Sequence, residues 1–124
     1  MTEITITAGA VTLPAQLNDT PTAGRIRGAL PIEGSATTWG DEIYFEIPVA
    51  AEEEPEARVD VEVGELAYWP AGRAFCIFFG PTPSSTDERP RAYSPVNVVG
   101  KVLGDATLFR TVTDGSPVHI AFGG

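Results

Sequence analysis

The sequence is poor in the side chains that carry most covalent and metal chemistry. It holds one cysteine, Cys76, and one histidine, His119, in 124 residues. A single cysteine excludes an intrachain disulfide. One cysteine and one histidine also fall short of a zinc site of the usual kind, so neither a metal nor a cofactor is expected. A Ser-His or Cys-His catalytic pair would have to use His119. That residue alternates with Val118 and Ile120 and reads as a surface position on the last strand. Cys76 sits inside an apolar run and reads as a small buried hydrophobe, not as a reactive thiolate.

Positive charge is also scarce. Lys101 is the single lysine, and 8 basic residues face 17 acidic ones for a net charge of −9. Phosphate recognition needs Lys and Arg, so neither a nucleic acid nor an anionic membrane is an expected partner. No apolar run approaches the roughly 18 residues of a membrane-spanning helix. The opening MTEITITAGAVTLPAQLNDT alternates and carries no basic leader, so the expected compartment is the cytoplasm. The acidic run of Glu52, Glu53, Glu54 and Glu56 lacks the spacing of a calcium loop and reads as a solvated loop. Asn18-Asp19-Thr20 fits a glycosylation pattern, yet a turn ahead of a helix explains it.

What the sequence does have is alternation, proline and aromatic residues. One domain over residues 1–124 is expected from the length. Residues 3–7, 11–17, 32–39, 42–49, 58–63, 65–69, 73–79, 96–103 and 118–122 read as short strands. Thr20 followed by Pro21 predicts a helix start, with Ala23, Ile26 and Leu30 on one face and Pro31 as the stop. Asp105 predicts the cap of a second short helix carrying Leu108, Phe109 and Val112. Pro70 and Gly72 predict a type I turn closed by a left-handed glycine. The segment from Pro81 to Pro95 reads as irregular and as a candidate functional loop. In residues 73–79 Phe75, Ile77 and Phe79 alternate with Ala74, Cys76 and Phe78. Both faces are apolar, so both should be covered, with a helix on the outside.

The segments "TTWGDEIYFEIPV", "VGELAYWPAGRAFCIFFGPTP" and "SPVNVVGKVLGD" occur in order over residues 37–105. Together they resemble small microbial cyclophilin-like proteins, relatives of the cyclophilin peptidyl-prolyl isomerases. The resemblance implies an all-β fold, a closed eight-stranded β-barrel with two short helices. It does not bring the isomerase residues with it. The arginine of the cyclophilin F-H-R-V stretch has no counterpart in Thr38–Tyr44. The glutamine before the paired phenylalanines is missing from Ala74–Phe78. Pro95-Val96-Asn97 stands where a histidine would precede G-K-V, and no tryptophan lies between Pro81 and Pro95.

The function expected is therefore binding of a peptide or small ligand in an aromatic-lined cleft. Trp39, Tyr44, Tyr68, Trp69, Phe75, Phe78 and Asn97 are the candidate ligand-binding residues. A prolyl isomerase with an altered site is the alternative, in which Arg73 would replace the lost arginine. A third possibility is acid–base chemistry by Glu42 with Tyr44 or Asp41.

Overall fold

The computed structural model describes residues 1–123. Strands β1 (Thr2–Ala8) and β2 (Val11–Leu17) form a hairpin in which Ala8 pairs with Val11 across Gly9-Ala10. The alternation read from the sequence sets the register. Ile4, Ile6 and Ala8 point into the core, and Thr5 and Thr7 point away from it. Helix α1 (Pro21–Ala29) follows. The Thr20 hydroxyl accepts from the Ala23 N–H and Pro21 occupies the first turn, as its sequence implies. Ala23 and Ile26 are buried, together with Thr22, whereas Leu30 is the extended C-cap and only half buried.

The remaining strands are β3 (Ile32–Ser35), β4 (Thr37–Thr38), β5 (Glu42–Glu46), β6 (Arg58–Asp60), β7 (Glu65–Trp69), β8 (Ala74–Phe78), β9 (Arg91–Val102) and β10 (Pro117–Phe122). All pair antiparallel in one ten-stranded sheet, in the order β3-β10-β1-β2-β9-β7-β8-β5-β4, with β6 attached to β9. A 3-10 helix spans Ala106–Thr111, capped by Asp105. The fold is thus all-β with two short helices. The expected closed barrel of eight strands is not what the ladders draw. They run as an open path from β3 to β4, and no ladder joins those two ends, which Ala36 alone separates in the chain.

Three local expectations are corrected. The strand expected to begin at Val96 begins at Arg91 and is 12 residues long. Its register against β6 shifts between Arg58 and Asp60, and Pro95 falls within that irregularity, where its missing N–H costs least. At the β7–β8 connection, Pro70–Gly72 form a 3-10 turn, and Arg73, not Gly72, takes the left-handed conformation with φ of 50°. Gly72 serves a different need, since a Cβ there would lie 2.4 Å from the Trp69 ring. Finally, the outer face of β8 is not covered by a helix. Ala23 and Ile26 of α1 join the main core with Phe75 and Ile77. Cys76 and Phe78 instead pack beneath Val61, Ala92 and Val96 in a second cluster. No helix among the described residues is long and apolar enough to cross a membrane.

The acidic segment is likewise more than a solvated loop. Glu54 accepts hydrogen bonds from the N–H and the hydroxyl of Thr22, which places its carboxylate at the positive end of α1. Asn97 locks this arrangement from β9. Its amide donates to the Glu52 carbonyl at 2.9 Å and to the Thr22 hydroxyl at 3.1 Å, and its carbonyl accepts from the Glu54 N–H at 2.8 Å. Helix, loop and sheet thus meet at one side chain that is 1% exposed.

Two measurements check this description. Asn97→Ala removes three hydrogen bonds at once, and urea unfolding should show a loss of about 2–4 kcal/mol. Gly24 and Gly28 lie in α1 with nothing within 4 Å of where a Cβ would stand. Gly24→Ala and Gly28→Ala should therefore each raise stability by about 0.5–1 kcal/mol, read as higher melting temperatures.

Candidate functional site

The outer face of the β5–β8–β7 region holds an aromatic cleft. Alternation places Glu42 and Tyr44 of β5 on the face opposite Ile43 and Phe45, and the pairing of Tyr44 with Cys76 brings β8 into the same surface. Trp69 ends β7 on that side. Trp39 follows β4 in the turn leading to β5, where its N–H donates to the Glu42 carbonyl at 2.9 Å. The N-terminal part of β9 supplies Ala92, Tyr93 and Val96. These eight residues enclose a cavity of about 160 Å³.

Four aromatic rings form its walls. Trp39 meets Tyr93 edge to face with centroids 6.1 Å apart, Tyr93 meets Trp69 at 6.1 Å, and Trp69 meets Tyr44 at 6.2 Å. Trp69 is held in place by donating its indole N–H to the Ser94 hydroxyl at 2.6 Å. Glu42 lies between these walls and is 5% exposed. Burial pushes its carboxyl from the ordinary 4.5 up to about 7, against the lowering effect of a hydrogen bond with Cys76. Burial also pushes the Cys76 thiol well up, and the charge of Glu42 adds to this. Cys76 is therefore a thiol and not a thiolate.

Of the residues singled out in the sequence, Trp39, Tyr44, Trp69 and Glu42 come together in this cleft. The others do not. Tyr68 faces the main core at 0% exposure, and its hydroxyl donates to the Val49 carbonyl at 2.7 Å. Phe75 is in the same core, 5.8 Å from Phe45. Phe78 faces outward but is sealed in the second cluster and does not reach the cavity. Asn97 is spent on the α1 and acidic-loop contacts. Arg73 is exposed on the turn and does not line the cavity. Asp41 accepts from the Arg110 guanidinium at 3.0 Å. His119 is exposed, 4.0 Å from Glu33. Tyr93 was missed because it lies in the segment read as irregular. It is the sole aromatic residue between Pro81 and Pro95, which is the signal that would have found it. Among the described residues no three His, Cys, Asp or Glu side chains gather as a metal site would require.

A small antiparallel β-protein with an aromatic cleft on its outer face is the class this geometry defines. The sequence matches the family model described as cyclophilin-like over residues 2–121, and the chain belongs to that family. It is similar to a hypothetical protein from Archaeoglobus fulgidus known from its solution structure. The two share 37% identity over 98% of this chain and 95% of that one, with a TM-score of 0.83. It is also similar in fold to McbB, solved in complex with tryptophan, at 16% identity and a TM-score of 0.68. That match covers 98% of this chain and 45% of McbB, so the chain spans less than half of McbB. Among curated proteins none matches the chain.

The raised pKa of Glu42 makes a signed prediction. The folded protein holds a proton that the unfolded chain releases, so stability falls as pH rises from about 4.5 to about 7. A shift from 4.5 to about 7 corresponds to roughly 3 kcal/mol. Glu42→Gln should unfold like the native protein near pH 4.5 and be more stable by up to that amount at pH 8, measured by urea titration at both values.

Proposed function

We propose that the chain is a small-ligand-binding member of the cyclophilin-like family and works through the cleft between Trp39, Tyr44, Trp69 and Tyr93. The observation that carries this reading is the cleft itself. Four aromatic side chains surround a concave space instead of filling it, and a nearly buried carboxylate projects among them. Mostly apolar walls with few polar groups are the usual make-up of a small-molecule site. The tryptophan carried by McbB is in keeping with this reading, by analogy of fold alone. We also take the sheet to behave as a barrel, closed by the continuity of the chain through Ala36.

Prolyl isomerisation has less support. Twisting a peptide bond means lowering a barrier of about 18–20 kcal/mol, and donors aimed at the distorted amide do most of that work. The cavity is lined by no arginine, and Arg73 lies outside it. Acid–base chemistry by Glu42 is the second reading, favoured by a carboxyl that titrates at about 7 inside a cleft.

Proton NMR tests the choice. Exchange spectroscopy on a short Xaa-Pro peptide should show no faster cis–trans exchange with the protein than without it. Small aromatic fragments should shift the indole signals of Trp39 and Trp69, and Trp69→Ala should abolish the shift at Trp39. Faster prolyl exchange, or indole signals that respond to no fragment, would overturn the proposal.

A further inference from the structure

The charge balance of the cleft narrows its ligand, given that the cleft is a ligand site as proposed above. Trp39, Tyr93, Trp69 and Tyr44 follow one another with interplanar angles of 76°, 80° and 79°. Rings turned nearly perpendicular in succession make a cage and not a stack. The face of each ring carries the negative end of its quadrupole. The indole N–H of Trp69, which would suit an anion, is already given to Ser94.

Glu42 adds a carboxyl to the same space. No lysine, arginine or histidine lines the cavity, so its charge has no partner there. Without a cation beside it this buried carboxyl keeps its proton up to about 7, and a cation bound in the cleft would favour the ionised form. An anionic ligand would be repelled by Glu42. Four aromatic side chains with Ala92 and Val96 make most of the wall apolar, which suits the methyl groups of a methylated ammonium better than the N–H bonds of a primary one.

We propose that the cleft binds an organic cation with a methylated ammonium head, its methyl groups against the four rings and its charge countered by Glu42. The net charge of −9 on the whole chain favours the approach of such a ligand.

Choline and its neutral carbon isostere, 3,3-dimethyl-1-butanol, separate charge from shape. Both are titrated against the intact protein, with the indole signals of Trp39 and Trp69 as the readout. Choline should bind at least about tenfold more tightly than the alcohol. Glu42→Gln should reduce that preference while the circular dichroism spectrum stays native. Equal binding of the two, or tighter binding of the alcohol, would overturn the cation assignment and leave the cleft as an apolar site. Silence from both compounds would overturn the cation assignment, and silence from the aromatic fragments as well would overturn the cleft reading.

Discussion

Strand β8 has no side in water, and the rest of the molecule is arranged to permit this. All five residues from Ala74 to Phe78 are buried. Phe75 and Ile77 enter the main core among Ile4, Ile6 and Phe109, so one face is covered by the sheet curving over itself. Cys76 and Phe78 require a second cover, and the N-terminal part of β9 with Val61 provides it. That second layer does not reach all of the surface. Where it stops, between Tyr93 on one side and Trp39 on the other, the cleft begins. The burial of Glu42 has the same origin. It sits on the outer face of β5, paired in register with Phe78, where the cover is mostly apolar.

The strands were legible because alternation is a local signal. β1, β5 and β10 each announce their core face in consecutive side chains, and the helix start at Thr20-Pro21 is equally local. The extent of β9 was not legible. Prolines and a polar run obscure residues 91–95, and only pairing with β6, more than thirty positions away in sequence for Asp60 and Arg91, makes that stretch a strand. The turn after Trp69 hid a similar exchange of roles. Gly72 was read for its backbone freedom, but it is the Trp69 ring that needs a residue without a side chain there.

The site was half legible for a reason that alternation itself explains. Tyr68 and Trp69 are neighbours on one strand and must face opposite ways, so one cleft could not hold both. The same holds for Phe75 and Phe78. Aromatic content marked the right region and not the right face. Asn97 shows the converse. A buried amide in an apolar strand does point to a polar purpose, and here that purpose is internal, joining α1 to Glu52 and Glu54. Two of its partners, Glu52 and Glu54, lie on a loop whose charges suggested nothing but solvation.

The lone thiol of Cys76 has a use of its own. It is 1% exposed and belongs to the lining of the cavity. A thiol reagent arriving through the cleft must pass between the aromatic rings, and there is no second cysteine to confuse the count of adducts. Burial that keeps the sulfur protonated also slows its alkylation, so the rate at which the chain gains the mass of one alkyl group reports access through the cleft and loss of the thiol proton together.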